Sequence, residues 1–203
     1  MDAGVDAGEV DAGLDGGTWD GGAEDGGLED AGVADAGYCV TDAGDPPNLL
    51  FNPGFECGVP PDGWSVIGNA QLGVVSALAR NGAQSARMVS LDGGVMSLYP
   101  ATPPVTGGPG IKTFCASSWV NGTPGSTVRI SVQVYPLGGG VQDTSFSAPL
   151  SGGWERIAVS ARTTLTDDQV TLRVWMPDAK KGEALLVDDA ELWVSDGGKC
   201  AER

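Results

Sequence analysis

The chain of 203 residues contains no histidine, and it has no Lys or Arg before Arg80. The lack of histidine excludes the usual Ser-His and Cys-His nucleophile pairs, the zinc proteases with paired His and most transition-metal sites. A run of about 18 apolar residues, which a membrane-spanning helix requires, is also missing. These absences favour a non-catalytic protein and predict no transmembrane segment.

Cysteine is scarce, and the four residues Cys39, Cys57, Cys115 and Cys200 form no CxxC pair. Zinc and thioredoxin-like sites therefore have no support from spacing, and two disulfides are the better interpretation. Disulfides indicate an oxidising compartment, although the chain shows no apolar signal segment. We expect an exported protein, extracellular or at the cell surface, whose export signal is absent from this chain.

Charge separates the chain into two regions. Residues 1–45 hold 13 of the 27 acidic side chains and no basic one, whereas the remainder carries 14 acidic and 11 basic side chains. The net charge of −16 disfavours a nucleic-acid partner, mainly because of the first region.

The acidic region, residues 1–45, is of low complexity. Asp followed by Ala-Gly or Gly-Gly recurs every few residues, at Asp2, Asp6, Asp11, Asp15, Asp20, Asp25, Asp30, Asp35 and Asp42. The period does not fit the nonapeptide repeats that wind around calcium, since those need an apolar position every nine residues. Backbone entropy, charge repulsion and few apolar side chains predict a disordered tether, joined to a surface anchor or another domain.

Residues 46–203 show short apolar or alternating runs separated by Gly, Pro, Asn and Asp. This spacing is typical of an all-β sandwich, and no 3.6-residue apolar period is long enough to predict a major helix. The predicted strands cover 49–51, 64–67, 70–79, 84–90, 94–99, 112–120, 126–136, 143–149, 154–161, 169–176 and 184–194.

Two of these strands alternate clearly. Successive side chains of a strand point to opposite faces, so the aliphatic positions of 128–135 and 170–176 predict a core face. The opposite faces then carry Arg129, Ser131, Gln133 and Tyr135 on one strand, and Thr171, Arg173 and Trp175 on the other. If both strands lie in one sheet, that face holds two aromatic rings and two guanidinium groups.

An ordered set of motifs in this region resembles a known family. Asn48–Glu56 with its Asn-Pro-Gly-Phe-Glu ending, Gly63-Trp64 and Arg80-Asn81-Gly82 resemble the opening of galactose-binding-like jelly-roll domains of carbohydrate-binding module families 4, 9 and 22. The stretches 113–120, 153–156 and 186–192 are similar to the central, late and closing strands of that group. The resemblance implies a jelly-roll β-sandwich of two antiparallel sheets.

The same resemblance implies a non-catalytic module that binds a polysaccharide or glycan on the concave face of one sheet. Sugars stack their C–H faces on aromatic rings and exchange hydrogen bonds with polar groups, which gives independent chemical support. The predicted ligand-binding residues are Arg129, Gln133, Tyr135, Arg173 and Trp175. In the alternative interpretation the two rings lie under loops and the arginines are ordinary surface charges.

Two further expectations come from the resemblance. Such modules often hold a structural calcium ion where the first and last strands meet, and Glu56 and Asp188 match the usual acidic positions; calcium would need backbone carbonyl ligands as well. The termini of a jelly roll usually lie close together, which favours a Cys39–Cys200 bridge and leaves Cys57 to pair with Cys115.

Two rival functions remain. A glycosidase needs a pair of carboxylates, but Asp167-Asp168 and Asp188-Asp189 are adjacent in sequence, and a regular strand would send each pair to opposite faces. A protein–protein or adhesion module of the cell surface could use the same fold with no sugar ligand.

Overall fold

A computed structural model describes residues 47–101, 105–164, 168–195 and 200. These residues form eleven strands and no helix: β1 Trp64–Ile67, β2 Ala70–Val75, β3 Ser85–Ser90, β4 Gly94–Pro100, β5 Val105–Thr106, β6 Thr113–Gly122, β7 Thr127–Tyr135, β8 Gln142–Pro149, β9 Glu155–Arg162, β10 Gln169–Ala179 and β11 Ala184–Ser195. Within these ranges there is accordingly no helix long and apolar enough to cross a membrane.

The strands form two antiparallel sheets packed as a sandwich. The sheet that we call the front sheet has the order β1-β4-β10-β7-β8, with β5 pairing β10, and the back sheet has the order β2-β3-β11-β6-β9. Consecutive strands repeatedly cross between the two sheets, so the predicted all-β jelly-roll sandwich is confirmed.

The core lies between the sheets and follows the predicted alternation. In β7 the aliphatic side chains of 128, 130, 132 and 134 are at most 1% exposed, and those of 170, 172, 174 and 176 in β10 are equally buried. Burying such side chains contributes roughly 1.5–3 kcal/mol each. Their packing fixes the register, because a slip of one residue would turn the polar side chains into the core.

The segment before β1 is held by side chains instead of by a strand. Residues 49–51 were predicted to be a strand, but here the Leu49 N–H donates to the Leu192 carbonyl and the next two residues bend away. The side chain of Asn48 replaces a strand partner: its Oδ1 accepts the N–H groups of Leu50 and Leu192, and its Nδ2 donates to the Ala190 carbonyl. The short strand β5 was not predicted.

The Asn-Pro-Gly-Phe-Glu motif forms a tight turn. Asn52 adopts a positive φ of 49°, and its carbonyl accepts the Trp64 indole N–H at 2.9 Å. The rings of Phe55 and Trp64 pack with centroids 4.7 Å apart in the core. The motif therefore fixes the entry into β1.

The disulfide prediction was wrong. Cys115 pairs with Cys200, with Cα atoms 5.6 Å apart, and Cys57 is also disulfide-bonded. Cys115 lies on β6 opposite Trp193 of β11, so the bridge joins Cys200 to the strand of the back sheet that neighbours β11. Cys39 and the predicted tether of residues 1–45 lie outside the described residues.

Candidate functional site

The outer face of the front sheet, the face turned away from the core, gathers all five predicted ligand-binding residues. Strand β10 pairs with β7, and the register sets Trp175 opposite Arg129, Arg173 opposite Ser131 and Thr171 opposite Gln133. Both strands therefore lie in one sheet, and their polar side chains share one face. The side chains of Arg129, Tyr135, Arg173 and Trp175 are half-buried, and that of Gln133 is buried.

Two guanidinium groups stack on one indole ring at the centre of this face. The guanidinium carbon of Arg173 lies 4.1 Å from the centroid of the Trp175 ring, and that of Arg129 lies 4.9 Å away. Arg173 also lies 5.6 Å from the Tyr99 ring, and its Nε and a terminal nitrogen donate to Ser97 Oγ at 3.2 and 2.9 Å. We call these five residues, Ser97, Tyr99, Arg129, Arg173 and Trp175, the arginine–tryptophan cluster.

Polar atoms in and beside this cluster lack partners. Arg129 Nε, Ser131 Oγ and Trp175 Nε1 are buried and have no hydrogen-bond partner among the described residues. Ser131 lies on the same face, opposite Arg173. A buried polar group without a partner costs about 1–3 kcal/mol, so three on adjacent residues mark a place where a bound molecule could supply the missing bonds.

Tyr135, Gln133 and Asp143 form a second, satisfied group on the same face. The Tyr135 hydroxyl donates to Gln133 Oε1 at 3.0 Å, and Gln133 Nε2 donates to Asp143 Oδ2 at 3.0 Å. Burial raises the pKa of Tyr135, with further upward contributions from Tyr99 and Asp143 and an opposing one from Arg173. This group therefore lies within electrostatic range of Tyr99 and Arg173 of the cluster.

Sequence reasoning missed Ser97 and Tyr99. Strand β4 pairs with β10 and sets Ser97 opposite Trp175, and alternation then puts Tyr99 on the same outer face. The buried Met96 and Leu98 carried the signal for this alternation. On the same face, the exposed side chains of Ile67 and Val95 give the β1–β4 side an apolar flank.

The predicted calcium ligands anchor a loop. Glu56 Oε1 accepts the backbone N–H groups of Ala83 and Gln84, and Asp188 Oδ2 accepts those of Arg80 and Asn81. Among the described residues no group of three or more acidic, Cys or His side chains could hold a metal ion. The carboxylates thus already accept amide hydrogens, and these contacts do not by themselves make a calcium site.

A bulge in β11 changes where the Asp188-Asp189 pair points. The register shifts between Asp188 and Glu191, and Asp189 has a φ of 44°. Both carboxylates therefore contact the same loop, Asp189 by accepting from Asn81 Nδ2 at 2.6 Å, so the expectation of opposite faces was wrong for this pair. Asp188 is fully buried, and this burial raises its pKa to about 7.

The fold matches solved structures of carbohydrate-binding modules. TmCBM61, solved in complex with β-1,4-galactotriose, is 20% identical over 73% of this chain and 99% of its own, with a TM-score of 0.51. The CBM22-1 xylan-binding domain of Paenibacillus barcinonensis Xyn10C is 14% identical over 70% and 90%, with a TM-score of 0.51. The CBM22-1–GH10 modules of Clostridium thermocellum Xyn10B, complexed with xylohexaose, are 19% identical over 71% and 28%, with a TM-score of 0.54.

These matches confirm the predicted resemblance at the level of the fold. At such low identity they show the jelly roll and leave the ligand to be argued from this chain's own residues. No family model and no curated protein matches the sequence.

Proposed function

We propose that the module binds a polysaccharide or glycan on the outer face of the front sheet, as a non-catalytic recognition domain. The observation that carries this proposal is the arginine–tryptophan cluster with the neighbouring Ser131, where two buried donors and a buried hydroxyl lack hydrogen-bond partners among the described residues. The solved modules with the same fold include one complexed with a galactotriose and one with a xylohexaose. Their fold supports the proposal, and the chemistry of the cluster argues for it independently.

The chemistry of this face suits a sugar chain. Hydroxyl groups accept and donate hydrogen bonds, so a sugar would satisfy Arg129 Nε, Ser131 Oγ and Trp175 Nε1 together. The Tyr99 ring supplies apolar surface for C–H faces, and Ile67 and Val95 extend this surface toward β1. Trp175 already contacts two guanidinium groups, so its indole N–H and ring edge, together with Tyr99, are the contacts that we assign to the sugar.

The setting of the module is part of the proposal. A disulfide between Cys115 and Cys200 favours an oxidising compartment, so we place the module outside the cytoplasm. The acidic residues 1–45 would act as a spacer to an anchor or a companion domain. Nucleic acid is not a partner in this account, because the net charge is −16.

A structural calcium ion at Glu56 and Asp188 remains a separate proposal. Calcium would stabilise the carboxylates in place of, or in addition to, the amide hydrogens of the 80–84 loop, and carbonyl oxygens would have to complete its shell. The melting temperature should then rise in excess CaCl2 over excess EDTA for the native chain and not for Glu56→Gln. Equal melting temperatures in both media would refute it.

Affinity electrophoresis of the full chain in gels containing xylan, galactan or polygalacturonate tests the binding proposal. We expect at least one polymer to retard the native chain, and Trp175→Ala to lose about tenfold or more in affinity. Trp119→Ala is the matched control, because Trp119 is also half-buried and stacked with an arginine, but on the outer face of the back sheet.

The proposal fails if a folded native chain binds none of a broad set of polysaccharides, an outcome that would favour the protein–protein alternative. An equal loss of affinity in Trp119→Ala and Trp175→Ala would show that the wrong face has been assigned.

A further inference from the structure

We propose that the ligand is an anionic polysaccharide, whose carboxylate or sulfate groups are bound by Arg129 and Arg173. This inference rests on the proposed function and narrows it to a charge class. Its basis is a pair of half-buried arginines on one face, neither of which forms a salt bridge with a carboxylate among the described residues.

Neither Arg129 nor Arg173 has an ionic partner in the part of the chain that the structure describes. Among the described residues the single salt bridge joins Arg156 to Glu191 on the back sheet. Arg173 donates to the hydroxyl of Ser97, which carries no charge, and Arg129 has no hydrogen-bond partner at Nε. A half-buried charge without a counter-ion is unfavourable, so an anion brought by a ligand would find two cations already partly desolvated.

The geometry favours anions with paired oxygens. The guanidinium group is planar and presents its N–H donors as a fork that matches carboxylate and sulfate oxygens. Both groups are held against one indole ring, at 4.1 and 4.9 Å from its centroid, so their orientation is restrained before a ligand arrives. Ser131 Oγ and Trp175 Nε1 lie beside them for neighbouring hydroxyls of the same sugar chain.

Carboxylates are sparse on this face. Asp143 lies on β8, opposite Gln133 of β7, and its Oδ2 accepts from Gln133 Nε2. The positions of β8 opposite Arg129 and Ser131 are Ser147 and Ser145, which are uncharged. The central strands β7 and β10 therefore carry Arg129 and Arg173 and a single acidic residue, Asp178, near the end of β10.

The net charge of the whole chain does not contradict this inference. Most of the negative charge lies in residues 1–45, and the Debye length at physiological ionic strength is about 8 Å. At that ionic strength, recognition depends most on charges within about one Debye length of the ligand, and the guanidinium groups of Arg129 and Arg173 are such charges.

The experiment compares charged and uncharged forms of the same polymer with the full chain at physiological ionic strength. Polygalacturonate is paired with its fully methyl-esterified form to test carboxylates, and dextran sulfate is paired with dextran to test sulfates. We expect the native chain to bind one charged polymer about tenfold or more tightly than its uncharged counterpart. The pair that shows the preference identifies which anion is recognised.

Variants test the residues. Arg129→Gln and Arg173→Gln should each lose about tenfold of the affinity for the charged polymer, and Arg80→Gln should lose none, because Arg80 stacks on Trp119 of the back sheet. If a glutamine variant fails to fold, the preference of the native chain still decides the matter. Equal or tighter binding of the uncharged polymers would overturn the inference while leaving glycan binding intact, whereas binding of no polysaccharide would overturn the proposed function itself.

Discussion

The outer faces of the two sheets both carry arginine stacked on tryptophan beside a buried serine. They differ in whether that serine has a hydrogen-bond partner among the described residues. On the back sheet, Arg80 stacks on Trp119 at 4.3 Å, and Ser117 Oγ donates to Glu191 Oε2 at 2.7 Å while it accepts from Arg156 at 3.1 Å. On the front sheet, Arg129 and Arg173 stack on Trp175, and the neighbouring Ser131 Oγ has no partner among the described residues. On the back face these polar groups bond to one another, whereas three buried polar atoms of the front face have no hydrogen-bond partner among the described residues.

Stability and recognition can be separated in this fold by the face on which a substitution lies. Contacts that are complete within the protein add to its free energy of unfolding, whereas unpaired buried groups cost stability and are retained where a ligand completes them. Substitutions on the back face should therefore change stability, and substitutions on the front face should change binding.

The largest effect should come from the Cys115–Cys200 bridge on the back sheet. Its closed loop has a sequence separation of 85, and removal of a native disulfide of this kind costs about 2–4 kcal/mol. The paired variant Cys115→Ser with Cys200→Ser should unfold at lower denaturant concentration with unchanged glycan affinity. Peptide mapping under non-reducing conditions should find the same pair, and a Cys57–Cys115 peptide would contradict the structure.

Asp188 of the back sheet should give stability a pH dependence. Its pKa is about 7 in the folded chain, above the ordinary value of 3.8, so the folded state binds a proton more tightly than the unfolded state. Its stabilising contribution is fully present below about pH 4 and is lost as the pH rises through about 7, by an amount on the order of a few kcal/mol.

Denaturant unfolding in EDTA at several pH values measures this contribution. The difference in unfolding free energy between the native chain and Asp188→Asn should become less favourable to the native chain between pH 4 and pH 7, and should level off above pH 7. A difference that stays constant across this range would show that the carboxyl does not titrate there.

Replacement of two buried serines, one on each sheet, should change the unfolding free energy by smaller and unequal amounts. Ser117→Ala on the back sheet removes two hydrogen bonds and should cost about 1 kcal/mol of unfolding free energy. Ser131→Ala on the front sheet removes a hydroxyl with no partner and should change stability by less than about 0.5 kcal/mol, while weakening glycan binding. Equal losses of stability in the two variants would remove the distinction between the faces.

The fold was largely predictable because burial imposes a period on the sequence. The alternation of 128–135 and 170–176 identified both faces of β7 and β10 correctly. Turn-forming Gly, Pro, Asn and Asp residues marked the boundaries between ten of the strands. Segment 49–51 was misassigned because the side chain of Asn48 provides bonds that a strand partner would have made. No local sequence pattern predicts that a side chain will take the place of a strand partner.

Sequence alternation placed the candidate residues of two strands on one face, but it did not predict how those residues contact each other. Arg129, Arg173 and Trp175 followed from alternation, but their stacking depends on the β7–β10 register, which sequence periodicity leaves open. Tyr99 was missed because its strand lies far away in sequence and joins the site through β4–β10 pairing. The disulfide pairing was predicted wrongly for the same reason, because it depends on which strand lies beside Cys200 in the fold.

The most direct test of the front face is the indole N–H resonance of Trp175 in a 1H–15N correlation spectrum of the full chain, assigned with Trp175→Phe. Oligogalacturonides, galacto-oligosaccharides and xylo-oligosaccharides would be titrated in turn. Because Trp175 Nε1 has no partner among the described residues, a sugar that binds there should shift its resonance strongly and leave that of Trp119 in place. A ligand that shifts Trp119 and leaves Trp175 unchanged would contradict the assignment of the binding face.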